Sequence, residues 1–262
     1  MNLSNTALLG ALTALSGMSA LAGDITLFDK VSGNAFGSDA RPGIQEDNET
    51  EPGTISNQSW DLEAFHLNGT TLSMIGGFNF LAGNAGQASG DIFIDTNGDA
   101  VWGTDTGGFG LGSVLNSVFK YDYVIHFTGR TDQTITGAYE VYSLSSATDT
   151  SVYYQINQEA NPWKYESGGA LVGGPYGTGT AVQTDLGTSN YGGLTGGQHF
   201  KFGGIDLSFL TPTERAGALF KFTMECGNDN LIGRVPDGGA TILLMSAGLT
   251  GLGLVRRRLT LV

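Results

Sequence analysis

Along the middle of the chain, short runs of β-branched and aromatic residues, several alternating with polar positions, are punctuated by Gly, Asn and Asp. This period-of-two pattern predicts strands near residues 60–67, 71–80, 91–95, 121–128, 138–144, 151–155, 205–209 and 218–226. Between the first two, Leu67-Asn68-Gly69-Thr70 reads as a hairpin turn, because Asn-Gly readily takes the positive φ of a type I′ turn. No long window keeps a 3.6-residue apolar period. Recurrent strands with turn signals therefore predict an all-β domain over residues 23–233, a single antiparallel β-sandwich, jelly-roll-like. Residues 39–58 are acidic and polar and read as a loop. Residues 168–197 are glycine-rich, with Tyr176 and Tyr191, and read as a long surface excursion. A linker is expected to begin near Gly233. There is no clean internal repeat.

The two ends depart from this pattern. Residues 1–22 are apolar and finish in Ala20-Leu21-Ala22, a small-x-small site, although no Lys or Arg precedes the apolar run. They predict a signal peptide cleaved before Gly23. At the other end, Val235-Pro236-Asp237-Gly238-Gly239 precedes an apolar run from Ala240 to Val255, followed by Arg256-Arg257-Arg258. That run predicts a short C-terminal transmembrane helix, whose Arg cluster stays cytoplasmic and leaves the body outside. Pro and two glycines before it make an accessible hinge. The tail over residues 234–262 is then either a permanent anchor or a signal that is read and removed.

Motif, apolar helix and Arg cluster, in that order, resemble the PEP-CTERM class of sorting tails in its VPDSG-like variant, written here VPDGG. The resemblance implies an exosortase as partner, transient residence in the inner membrane, and a Gram-negative bacterium that makes extracellular polysaccharide. Residues 60–80, 89–100, 121–127, 160–174 and 222–233 also resemble ectodomain blocks of exosortase-dependent surface proteins. That likeness implies an exported, β-rich protein of the cell surface or biofilm matrix and brings no catalytic residues.

Composition narrows the function classes. Glycine supplies 42 of 262 residues, without the every-third-residue period of collagen, and only 14% of residues are charged. The net charge is −13, so no basic surface exists to release counterions, and a nucleic-acid partner is excluded. One cysteine excludes an internal disulfide framework. Cleavage at the hinge would remove three of the 12 basic residues, Arg256, Arg257 and Arg258, and, of the 25 acids, only Asp237. The processed body is thus more acidic still, a composition that offers oxygen ligands to divalent cations.

The sharpest local motif is Asp95-Thr96-Asn97-Gly98-Asp99, with oxygen side chains at alternate positions and a glycine that lets the loop curl. Asp95, Asn97 and Asp99 open a candidate Ca²⁺ site, with Asp91, Asp105 or Glu63 to complete the six to eight oxygens calcium takes. The bidentate Glu of an EF-hand loop is absent, its place taken by Thr106. The same residues also make an ordinary Asx turn in a hairpin. Catalysis has little support: His66, His126 and His199 are scattered, and no nucleophile elbow, zinc helix or phosphate loop occurs. Asp122 with Glu140, or Asp61 with Glu63, identify no carboxylate dyad without geometry. Cys226 has no neighbouring base. Among the aromatics, Trp60, Trp102, Trp163, Tyr165, Tyr176 and Tyr191 include several in polar, Gly-rich contexts; Trp102, Trp163 and Tyr176 are the candidates to stack on sugar rings, against the ordinary role of half or more of such residues in the core. The expectation is a non-enzymatic exported surface or matrix protein. The alternatives are a carbohydrate-binding module holding extracellular polysaccharide and a glycan hydrolase.

Overall fold

The computed structural model describes residues 23–27, 50, 54–101, 110–154, 160–188, 194 and 196–235. A five-stranded sheet takes β1 (Gly23–Asp24), β3 (Leu62–Asn68), β4 (Thr71–Gly76), β14 (His199–Asp206) and β13 (Val182–Gly187) in that spatial order. The central sheet runs β11 (Ala170–Leu171), β8 (Ala138–Ser143), β7 (Tyr123–Phe127), β5 (Ile92–Asp95), β15 (Leu219–Thr223), β16 (Asn230–Arg234) and β2 (Thr26–Leu27). A further strand, β12 (Thr178–Thr180), also pairs with β8. The third sheet is β10 (Lys164–Ser167), β9 (Asp149–Tyr154) and β6 (Gly110–Leu115). Every pairing between these strands is antiparallel. The all-β sandwich expected from the strand pattern is therefore what the chain forms.

The main core lies between the five-stranded and central sheets. Leu62, Phe65, Met74 and Phe202 from one side meet Ile92, Ile125, Phe220 and Phe222 from the other. Phe80 sits in the middle, stacked on Phe202 at 5.6 Å between ring centroids and tilted against Phe222 at 5.7 Å. Such offset and tilted pairs contribute beyond the area they bury.

The central sheet is covered on both faces, which the alternation along β5 makes plain. Ile92 and Ile94 enter the main core, while Phe93 points the other way, into a second cluster with Tyr121, Val124, Val152 and Tyr165. Val152 of β9 and Tyr165 of β10 belong to the three-stranded sheet, so that sheet forms a third layer over part of the sandwich. Strands covered on both sides read as continuous apolar runs, as Ile92-Phe93-Ile94 does.

Three expectations change in detail. The hairpin turn sits one residue later than Asn-Gly implies: Asn68 pairs with Thr71, and of the two loop residues only Gly69 takes positive φ, +62°. Glycine at the first central position is the type II′ requirement. The glycine-rich segment 168–197 is not one excursion, since β11, β12 and β13 lie in it and pair with β8 and β14. Nor does a linker begin at Gly233: β16 runs to Arg234, and the Val235 N–H donates to the Ala218 carbonyl at 2.9 Å.

The one α-helix among the described residues, α1 (Pro212–Arg215), is a single turn closed by a Thr211/Glu214 capping box. The signal peptide expected at 1–22, most of the acidic loop at 39–58 and the C-terminal helix lie outside the described residues.

Candidate functional site

Asp91 immediately precedes β5 and is wholly buried where the third layer meets the central sheet. Its two oxygens take four partners, from β7, the loop after it and β10. Oδ1 accepts from the Phe127 N–H at 3.0 Å and from the Arg130 guanidinium at 2.9 Å. Oδ2 accepts from the Tyr165 N–H at 2.9 Å and lies 2.8 Å from His126 Nδ1. Burial alone would push this carboxyl up, but Arg130 and then His126 outweigh burial and hold it below the ordinary carboxylate value. Burial likewise pulls the His126 imidazole down, and the Asp91 charge and hydrogen bond outweigh that and raise it.

Beside this junction lies a cleft of about 560 Å³ between the third layer and the loops of the central sheet. Its wall includes Arg130, Thr131, Trp163, Lys164, Glu166 and Glu225. Backbone bonds fix Trp163: its N–H donates to the Ser151 carbonyl at 3.1 Å, and its carbonyl accepts from the Asp91 N–H at 2.8 Å. Two cations cover the indole, Lys164 Nζ at 5.0 Å from the ring centroid and the Arg130 guanidinium carbon at 5.6 Å. Lys164 also pairs with Glu166 at 2.8 Å, and the Ser151 hydroxyl donates to the same carboxylate. Trp163 is only 5% exposed, so it offers no open ring face for stacking on a sugar.

The remaining candidates are dispersed. Tyr176 is exposed, in the connection between β11 and β12. Trp60 is buried and stacked on Phe78. Trp102, Asp105, Tyr191 and Pro236–Val262, which carry most of the sorting motif and Arg256, Arg257 and Arg258, lie outside the described residues.

The Asp95 loop takes the Asx-turn form. Asp95 Oδ1 accepts from the N–H groups of Asn97 at 3.1 Å and Gly98 at 2.9 Å. Asn97 Oδ1 accepts from the Asp99 N–H at 2.9 Å. Asp95 Oδ2 takes no hydrogen bond among the described residues and lies 3.9 Å from the Arg234 guanidinium. Asp91 stands at the opposite end of β5 with both oxygens engaged, and Glu63 belongs to the five-stranded sheet, 3.1 Å from His199. Among the described residues no group of three or more His, Cys, Asp or Glu side chains gathers as a metal site.

Asp122 and Glu140 serve different partners. Asp122 receives Thr96 and Asn97, whereas Glu140 receives the Tyr142 hydroxyl at 2.6 Å. Burial pushes the Cys226 thiol up to about 11. At neutral pH its thiolate fraction is then about a hundredfold below that of an ordinary cysteine. Native protein is expected to react with a disulfide reagent that much more slowly than the urea-unfolded chain; equal rates would refute the burial seen here.

Sequence reasoning missed Arg130, Lys164, Glu166 and Glu225. The available signal was scarcity: with 12 Lys and Arg in an acidic chain, a cation inside the body is an exception. What it could not supply was the fold that brings residues 130, 163 and 225 to one wall.

Among the described residues no helix is long and apolar enough to cross a membrane. No curated protein and no solved structure matches the chain. Residues 234–259 do match a family model, the VPDSG-CTERM motif. The match begins at Arg234, where the last strand ends, and so this chain carries a PEP-CTERM-like exosortase sorting signal at its C-terminus.

Proposed function

We propose that this is a non-enzymatic protein of the bacterial cell surface or extracellular matrix, delivered by export and cut from its tail by an exosortase. That the protein is exported and sorted by an exosortase-like system follows from the signal itself. The observation that carries the finer reading is the placement of that signal. Arg234 and Val235, the first residues matched, are still tied to the body: Arg234 donates to the Gly217 carbonyl at 3.0 Å, and Val235 packs against the main core. The motif therefore follows the folded domain directly. Cleavage beyond it would release or transfer a complete three-layer body with its last strand intact.

The engagement of His199 and His126 and the raised Cys226 thiol support a binding or structural role over catalysis. His199 is fully buried beside Glu63, and His126 is committed to Asp91. The home of such a body, on this reading, is the outer surface of a Gram-negative cell or its biofilm matrix. Replacing Pro236-Asp237 by Ala-Ala is expected to block processing almost completely. Mass spectrometry of the exported protein would then find residues 240–262 still attached and the protein retained in the membrane. Unchanged processing in that variant would sink the sorting role of the motif. An intact tail on the wild-type protein would make it a permanent anchor instead.

A further inference from the structure

Residues 23–27 make one short segment that belongs to two sheets. As β1 it pairs with the end of β3, Asp24 opposite His66, and as β2 it pairs with β16, Leu27 opposite Ile232. Between the two, Ile25 ties the sheets together. Its N–H donates to the Phe65 carbonyl at 3.0 Å, and its carbonyl accepts from the Arg234 N–H at 3.0 Å. The Ile25 side chain is buried in the main core. Gly233 permits this close approach: an added Cβ would stand 2.8 Å from Phe65 Cδ2 and 3.0 Å from the Ile25 carbonyl oxygen.

The end of β16 is thereby held from both sides. Arg234 donates its N–H to Ile25, and Val235 donates its own to the Ala218 carbonyl at 2.9 Å. Val235 is also the first residue of the Val-Pro-Asp-Gly-Gly motif, and its side chain packs against the main core. Only Pro236 to Gly239 separate it from the apolar run at Ala240, and four extended residues span at most about 14 Å. An enzyme that reads an extended peptide through its main chain needs those N–H groups free. A motif that begins in a paired strand is not ready to be read.

We propose that residues 23–27 are a strap that withholds Val235, and that the exosortase cuts the tail from the minor population in which the end of β16 has frayed. The proposal rests on the sorting reading above and adds the regulation of that site. Of the two sides, the strap is the weaker: it gives two paired residues to β16, whereas β15 gives five. Short terminal segments open at small free energy. Where opening and closing are fast, cleavage tracks the open population, so the strength of the strap sets the rate of processing. Residues 25 and 234 meet only in the folded body, and the restraint exists only there.

The test is a pulse-chase of the full-length protein in exosortase-bearing cells, read as the half-time for loss of residues 240–262. Ile25→Ala, which leaves the motif untouched, is expected to shorten that half-time about three- to tenfold. Inserting Gly-Ser-Gly-Ser between Arg234 and Val235 frees the motif while the strap stays closed, and should shorten it at least as much. In the inserted chain Ile25→Ala should add nothing, because the strap no longer bears on Val235. Amide exchange on the purified protein reads the cause: the Arg234 N–H should exchange faster in Ile25→Ala while β4 and β5 stay protected. If Ile25→Ala fails to fold, Ile25→Val makes the same comparison with a smaller effect. A half-time equal to or longer than that of wild type in either variant, or additive effects in the double variant, would overturn the strap. Those results leave the sorting reading standing, since the tail is still cut; an uncut tail on the wild type overturns both.

Discussion

Asp91→Asn is expected to destabilise the protein by about 3–5 kcal/mol, the cost of breaking a buried ion pair from one side. Few single changes should cost this chain more, because stability of a domain totals only about 5–15 kcal/mol. The amide keeps the shape of the carboxylate but removes the charge that faces Arg130 and His126. One of its two acceptor positions becomes an NH₂ aimed at donors. Depending on its flip, the orphaned partners are either Phe127 N–H and Arg130, or Tyr165 N–H and His126. Tyr165 begins the contact of β10 with the central sheet, so the loss is expected first in the third layer, as faster amide exchange in β9 and β10. Removing Arg130 as well, as Met, should cost less than the sum of the two single changes, because the uncompensated guanidinium goes with it. A loss below about 1 kcal/mol for Asp91→Asn would place this pair with exposed ion pairs and refute its burial.

The same junction sets a pH window. Asp91 is held below its ordinary value, so its contribution is present above about pH 3.9 and is lost as pH falls through the lowered native value. His126 is raised, so its contribution is complete below about pH 6.5 and is lost as pH rises through the raised native value. Stability from this site is therefore greatest between those limits, and in Asp91→Asn both limbs should flatten.

How much of this could be read from the chain depends on how many faces of each strand are covered. Strands near 71–76, 123–127, 138–143 and 219–223 announce themselves through β-branched and aromatic runs. In the third layer only β9, expected near 151–155, did so. The layer's β10, Lys164-Tyr165-Glu166-Ser167, buries only Tyr165 and leaves two polar residues exposed, so its four positions resemble a turn. The edge strand β13 is polar or exposed along most of its length, as edges that must avoid further pairing often are. Short strands such as β11, two residues long, have no period to detect. The site was harder to read for a different reason. The Asp95 motif is local, and its loop form was legible as one of two alternatives. The Asp91 junction draws on residues 91, 126, 127, 130 and 165, whose relation exists only after three strands have paired. Nothing in the neighbourhood of Asp91 distinguishes it from the other acids of the chain.

Gly90→Ala is expected to cost about 3 kcal/mol or more, at or beyond the upper end for overpacking. The glycine precedes Asp91 and lies between two backbones. A Cβ there would stand 2.3 Å from the Thr223 carbonyl oxygen and 2.3 Å from that of Trp163. Neither is the end of a flexible side chain. Both carbonyls already accept hydrogen bonds from this segment, Thr223 from the Gly90 N–H at 3.0 Å and Trp163 from the Asp91 N–H at 2.8 Å. Making room means moving β15 or the segment leading into β10, and either movement stretches those bonds and opens the cleft wall at Trp163. Lys221, buried on the same face of β15 as Thr223, donates to the Pro162 carbonyl and resists the same displacement. Gly173→Ala is the matched control, since its added Cβ meets nothing within 4 Å and the backbone there is not left-handed. That variant should be neutral or slightly stabilising through the unfolded state. Urea unfolding of the pair decides the matter: if Gly90→Ala is as stable as Gly173→Ala, the third layer does not pack against the central sheet as closely as described.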